Sequence, residues 1–303
     1  MHAWIRKRAV KVAMRLPAPV RKRLQRYMDR RHLHQNLCWY KGYSWHWRIS
    51  LEDPFDRRGR RKAFRERKAK GLQDIPLFLI SYNRLSYLQM AIERFEQLGL
   101  TNIIVIDNGS TYPPLLEYYQ KLPYKVITVD RNYGHLVFWQ CPQFREYRND
   151  FYMVSDPDVI PIEECPTDFV EKMFYTLKKY PNLTKVGFSL KLDDLPEDGV
   201  LTKDVLQHEK QFQERYIKKE NLYIASLDTT FALYPPDVVA NQKMSFFCAM
   251  RTGYPYQARH IPWYKTKEMI TDEDRFYSAL NKFGTWDAVK QQEDKGVQPH
   301  GVQ

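Results

Sequence analysis

Residues 149–161 read "NDFYMVSDPDVIP". Phe151 to Val154 form a short apolar run of aromatic and branched residues, the composition of a buried strand. The run ends abruptly in Asp156 and Asp158 around Pro157. Two carboxylates that close repel each other, and each is costly to remove from water. They therefore need either a solvated turn or a cation between them. Pro157 stiffens the turn and limits how far the two acids can separate.

Three earlier segments share this texture. "PLFLISYN" (76–83), "NIIVID" (102–107) and "YKVITV" (124–129) read as compact strands. Helices fit the intervals. Ser86 is placed to cap a helix over 87–98 that Gly99 ends. A second helix fits 113–122 and a third 134–148. Strands alternating with helices at this spacing predict an α/β fold, with a mostly parallel sheet flanked by helices. Each strand ends in polar residues: Ser81-Tyr82-Asn83-Arg84, Asp107-Asn108-Gly109-Ser110, Asp130-Arg131-Asn132 and Asp156-Pro157-Asp158. Ligands of such sheets bind beyond the carboxyl ends of the strands, so these four clusters predict one binding crevice.

The second half is less regular. A helix is predicted over 166–180, then the strand "TKVGFSL", an acidic loop "KLDDLPEDG" and a polar helix near 202–218. Two short strands, "LYIAS" and "TTFALY", flank Asp228. "GYPYQARHIPWY" (253–264) is dense in aromatics and carries Arg259 and His260. "TDEDRFYSALNKFG" reads as a final helix capped by Thr271, which gives the acids Asp272, Glu273 and Asp274 an ordinary role at a helix start.

Charge is concentrated at one end. Residues 1–75 hold 22 Lys/Arg against 6 Asp/Glu, and the remaining 228 residues hold 26 against 30. The net charge of +12 is thus a property of a basic, partly helical N-terminal extension. Within residues 1–35, Trp4, Ile5, Val10 and Met14 share much of one helical face among Arg and Lys. That is the pattern of a helix lying on an anionic membrane. A basic helix packed on the domain has the same pattern, and charge alone also admits nucleic acid, which is not expected as the partner. Residues 56–70 form a second basic block, read as exposed and partly helical. No run of about 18 apolar residues occurs, so no membrane-spanning helix is expected. No signal-peptide core is visible either. The expected location is the cytoplasm, peripheral on the inner face of the membrane. Cys38, Cys141, Cys165 and Cys248 lack paired spacing, so neither a zinc site nor a disulfide framework is expected.

A carboxylate pair at the end of a buried strand suits a hard divalent cation that keeps positions open for phosphate oxygens, Mn2+ or Mg2+. The D-x-D pattern by itself is weak, and its place at a strand end is what gives it weight. Taken in order, "LISYNR", "IIVIDNGST", "VDRNYG" and "FYMVSDPDVIP" resemble the nucleotide-sugar half of a GT-A (Rossmann-like) glycosyltransferase of the family-2-like group. The resemblance is good over residues 76–161 and loose beyond. It implies three parts: an extension over 1–75, a nucleotide-sugar half over 76–165 and an acceptor half over 166–303. It implies nucleotide-sugar contacts from Ser81, Tyr82, Asn83, Arg84, Asp107, Asn132 and Asp156. It implies metal ligation by Asp156 and Asp158. His260 is a candidate third ligand, because a C-terminal histidine supplies one in many such enzymes, and Arg259 is a candidate diphosphate contact.

The sequence departs from the family where "GHLVFWQ" follows the third block, so no arginine contact carries over there. No clean acid pair marks the base of an inverting enzyme. Asp228 is the candidate base, with Asp193 and Asp194 behind it. Trp263 and Tyr264 are candidates to floor a sugar. The function implied is transfer of a sugar from a nucleotide-diphosphate sugar to a glycan or lipid-linked acceptor, in surface-polysaccharide synthesis. A sugar-phosphate nucleotidyltransferase is the first alternative, although "SYNRLSYL" lacks the glycine-rich phosphate loop that chemistry normally uses. A non-catalytic basic adaptor is the second. No GxGxxG occurs, so a dinucleotide-dependent dehydrogenase has no support.

Overall fold

A computed structural model of the chain describes residues 57–296, apart from 181–182, 229, 237, 239–248 and 283–285. The readings made above for residues 1–35, Cys38 and Cys248 lie outside the described residues.

The first half alternates as expected. Helix α1 (Arg57–Lys70) precedes β1 (Leu77–Ser81), α2 (Leu85–Gln97), β2 (Ile103–Asp107), α3 (Pro113–Lys121) and β3 (Lys125–Thr128). The interval 134–148 holds short 3-10 turns around a four-residue helix α4 (Val137–Gln140), where one longer helix was expected. Then come β4 (Tyr152–Ser155), β5 (Val159–Pro161), α5 (Phe169–Lys179) and β6 (Lys185–Leu190). The remainder comprises α6 (Thr202–Gln213), β7 (Tyr216–Ile217), β8 (Leu222–Ile224), β9 (Ala232–Tyr234), β10 (Ala249–His260), α7 (Asp272–Leu280) and α8 (Ala288–Gly296). Helix α8 was not foreseen.

The strands form one ten-stranded sheet in the order β3-β2-β1-β4-β9-β6-β10-β8-β7, with β5 pairing to β10. It is mixed, not mostly parallel. β3, β2, β1 and β4 are parallel neighbours, as are β6 and β10. β9 runs antiparallel between β4 and β6, and β5, β7 and β8 also pair antiparallel. The cause is the loss of crossover helices. Parallel neighbours need connections of about a dozen residues or more, usually a helix. After α6 the chain instead forms the hairpin β7–β8 and returns to β9 through residues 225–231.

Period-two alternation sends neighbouring strand residues to opposite faces of the sheet. Leu77, Leu79, Ile103, Val105 and Met153 join one buried cluster with α2 and α5. Phe78, Ile80, Ile104, Ile106, Tyr152 and Val154 join another with Val137, Phe138 and Phe144. Both faces are therefore covered, which accounts for unbroken apolar runs in β1, β2 and β4.

Helix α1 corrects the reading of the second basic block as a solvated segment. Arg60, Phe64 and Arg67, spaced to share one face, are buried, while Arg61, Lys62, Arg65 and Lys68 remain exposed. Phe64 packs edge-on between Phe151 and Phe174, with ring centroids 4.8 and 5.0 Å away. Arg60 donates to the Leu183 carbonyl at 2.9 Å, and Arg67 makes a forked pair with the Asp150 carboxylate. Asp150 and Leu183 immediately precede β4 and β6, so α1 docks at the amino ends of these strands, opposite the edge where the polar clusters gather. The helix belongs to the domain's packing.

The entry to α2 also differs from expectation. Ser86 lies inside the helix, and Arg84 is its N-terminal flank without a side-chain cap. The Glu273 carboxylate, on α7, accepts from the Ser86 amide at 3.2 Å and from its hydroxyl at 2.6 Å. A distant acid thus satisfies the free N–H that a local cap would have met. Thr271 caps α7 as expected, in a capping box with Asp274.

Candidate functional site

The strand order reverses at β1. The chain steps outward through β2 and β3, then returns to place β4 on the other side of β1. In open α/β sheets, ligands bind beyond the carboxyl ends of the strands at such a switch point. A cavity of about 560 Å3 opens there, and its wall includes Tyr82, Arg84, Asn132, Asp156, Asp158, Asp228 and His260. Residues predicted from five distant segments are therefore brought together.

The pairing of β5 with β10 explains how His260 reaches Asp158. β5 begins directly after the acid turn and runs antiparallel to the end of β10, in the register His260↔Val159, Arg259↔Ile160 and Ala258↔Pro161. The Ile261 amide donates to the Asp158 carbonyl at 2.9 Å, extending the zipper by one bond. His260 Nε2 comes to 3.6 Å from Asp158 Oδ1. Asp158 Oδ1 and His260 Nδ1 are both buried without a hydrogen-bond partner. Burial holds the His260 pKa below its ordinary value although Asp158 opposes the shift, so the imidazole is neutral and available as a ligand.

Two ligand atoms about 2.1 Å from a shared cation stand roughly 3 to 3.5 Å apart, and the Asp158–His260 spacing of 3.6 Å is slightly longer than that. No group of three or more His, Cys, Asp or Glu side chains among the described residues is placed to hold one. A cation held by this pair would complete its shell with phosphate oxygens and water.

Arg84 is a buried cation in the same wall. Tyr277 lies 3.8 Å and Tyr87 4.7 Å from its guanidinium carbon, ring centroid to Cζ. Its Nη1 is 3.5 Å from Asp274 Oδ1, and both Nε and Nη1 lack hydrogen-bond partners. A buried guanidinium with donors lacking hydrogen-bond partners, in the wall of a cavity, suits an anionic ligand. Asp274 is itself fixed by Lys265 at 2.8 Å and by the Thr271 amide at 2.9 Å. Asp274 caps α7, a role expected at a helix start, and Glu273 docks α7 on Ser86, which was not.

Asp228 lies in the loop before β9, enclosed by protein yet exposed to the cavity. Enclosure pushes its pKa up, but Lys185, Arg251, the Thr230 amide and His135 outweigh that and hold the carboxyl below its ordinary value. Lys185 is fully buried on β6, where its ammonium donates to the Asp228 carbonyl and lies 3.4 Å from the Tyr234 hydroxyl.

Other predicted residues shape the crevice without lining it. Ser81 is fully buried beside the Tyr119 hydroxyl. Asn83, at φ 51, accepts from the Thr111 and Tyr112 amides at 2.6 and 2.9 Å and so clips the end of β1 to the loop after β2. Asp107 accepts from the Ser110 amide at 3.0 Å and from the Tyr119 hydroxyl at 3.4 Å, holding the turn after β2. Gly109 closes that turn at φ 75, where a Cβ would come within 2.8 Å of the Arg131 backbone. Arg259 is not brought to the cavity. It faces away from His260, as alternation along β10 requires, and pairs with Glu163 at 2.6 Å and Asp194 at 2.9 Å. Asp193 and Asp194 bind Lys191, and Asp194 also binds the Tyr264 hydroxyl, so neither acid and not Tyr264 lines the cavity. Trp263 does.

Sequence reading missed His135, His208, Glu209, Arg251, Tyr277 and Trp286, all in the wall. Asn108 was legible in "DNGS", and it ties Asn132 and the Gly134 carbonyl at 3.0 Å each. The others sit within ordinary helix, strand or loop patterns that carry no local signal. The chain matches no protein-family model, and no curated protein is significantly similar to it.

Proposed function

We propose that this chain is a GT-A-like glycosyltransferase that takes its sugar from a nucleotide-diphosphate donor. The observation that carries this reading is the Asp158–His260 pair at the switch point of the sheet, where Asp158 Oδ1, buried without a hydrogen-bond partner, lies 3.6 Å from His260 Nε2. Asp158 and His260 would hold Mn2+ or Mg2+, with phosphate oxygens and water filling the rest of its shell. When bound, the cation neutralises a diphosphate and assists its departure as a Lewis acid. Arg84 places a fixed positive charge on the same wall. The nucleoside would occupy the side formed by Tyr82, Asn108 and Asn132. In the transfer, the acceptor oxygen bonds to the anomeric carbon as the bond from that carbon to the phosphate oxygen breaks. The nucleoside diphosphate leaves with the electron pair, and Asp228 takes the hydroxyl proton if configuration inverts.

The proposed acceptor is a glycan or a lipid-linked saccharide, and surface-polysaccharide synthesis is the proposed setting. Among the described residues no helix is long and apolar enough to cross a membrane. Titration calorimetry of the full chain with a panel of nucleotide sugars, with and without Mn2+, tests the reading. Binding of one donor that requires the metal and disappears in Asp158→Ala is expected. Binding of none, or metal-independent binding that Asp158→Ala leaves intact, rules it out.

A further inference from the structure

The half of the cavity away from β1 and β2 combines aromatic rings with a buried ion pair. Its wall is built by His208, Glu209 and Phe212 of α6, Arg251 of β10, Trp263 and Trp286. Glu209 and Arg251 form an ion pair at 2.7 Å with both side chains 6% exposed. A buried ion pair contributes little net stability compared with apolar packing of the same volume, so its presence in a cavity wall points to recognition. The guanidinium is fixed by a bond from Nε to the Ser226 carbonyl at 3.0 Å and by the Phe212 ring, whose centroid is 4.1 Å away. Trp263 is 2% exposed, and its indole N–H is buried without a partner. Leaving such a donor unmet is costly. Trp286 stands at 75° to Trp263 with ring centroids 5.8 Å apart, and His208 stands at 70° to Trp286 at 5.4 Å.

Aromatic faces, an unmet N–H and a charged fork converge on one class of ligand. The apolar face of a sugar ring packs on aromatic rings, and its hydroxyls donate to a carboxylate and accept from a guanidinium or indole N–H. A bare lipid phosphate would leave the rings unused and bring its charge toward Glu209. We propose that this half of the cavity is a saccharide subsite, with Trp286 against the ring and the Trp263 N–H and the Glu209–Arg251 pair on its hydroxyls. That this saccharide is the glycosyl acceptor rests on the transferase reading; that the subsite binds a sugar does not.

The full chain is applied to an array of mono- and oligosaccharides in the presence of UDP and Mn2+, and nucleotide affinity is titrated separately. Binding to at least one saccharide is expected, weakened about tenfold or more by Trp286→Ala and by Glu209→Gln, and recovered in Trp286→Tyr. No saccharide binding, or binding that neither substitution moves, overturns the subsite. Saccharide binding without affinity for any nucleotide sugar upholds the subsite and removes the transferase reading. Nucleotide-sugar binding without saccharide binding does the reverse.

Discussion

His260 Nε2 stands 3.6 Å from Asp158 Oδ1, although the two residues are separated by most of the second half of the chain. The antiparallel register of β5 on β10 fixes this neighbourhood. Both residues should therefore act on one function. Asp158→Ala and His260→Ala are each expected to weaken metal-dependent nucleotide-sugar binding by at least roughly 10- to 100-fold, a loss that removing an outer-shell partner already produces. Calorimetry across a Mn2+ series checks this, and a metal requirement unchanged in both variants would sink the assignment.

Asp228 is set apart from that pair by its loop and by the buried Lys185 beneath it. In the inverting case, Asp228→Asn should lower transfer by about 10^2- to 10^4-fold while leaving donor affinity near the parent value. Initial rates against donor and acceptor concentration separate the two effects. Turnover that survives the substitution would remove Asp228 as the base.

Asp274 links α7 to Lys265 and Arg84. Burial raises its pKa, but Lys265 and the Thr271 cap outweigh that and hold it below the ordinary carboxylate value. A depressed folded-state pKa stabilises at pH above the unfolded value of about 3.9, and the gain is lost as pH falls through the lower folded value. Asp274→Asn should unfold more readily at neutral pH, by about 1 to 3 kcal/mol, and should lose less stability than the parent on acidification below pH of about 4. Denaturant melts at several pH values test both parts.

Phe64 anchors α1 between Phe151 and Phe174. Phe64→Ala should cost about 3 to 5 kcal/mol, whereas Arg65→Ala on the exposed face should change stability by less than about 0.5 kcal/mol. Equal effects from the two would mean that α1 is not docked.

Gly187 of β6 lies where a Cβ would meet the Phe231 carbonyl at 2.1 Å. Gly187→Ala should push β9 from β6 and destabilise the domain by about 1 to 3 kcal/mol, read as a lower unfolding midpoint. A midpoint equal to the parent's would show that β9 can give way at no cost.

Much of this molecule was written locally. The apolar runs at 77–81, 103–107 and 152–155 became buried parallel strands because burial on both faces needs little more than continuous apolar composition. The polar residues after them reached one edge because parallel strands put all their carboxyl ends on the same side. Thr271 capped α7 because a capping box is a matter of neighbours in sequence. Other features depended on partners far along the chain. Ser86 was passed over as a cap in favour of Glu273, and Arg259 was drawn from the site by Glu163 and Asp194. The antiparallel insertion of β9 between β4 and β6 has no signature in a three-residue strand. Glu209, Arg251 and Trp286 look like ordinary helix, strand and loop residues until the sheet brings them to one wall. Sequence by itself determined where strands form and where polar residues end them, because those depend on local composition and period. Only the tertiary structure decided which side chains face the cavity, because that is set by strand register and by competition among distant charges for the same partners.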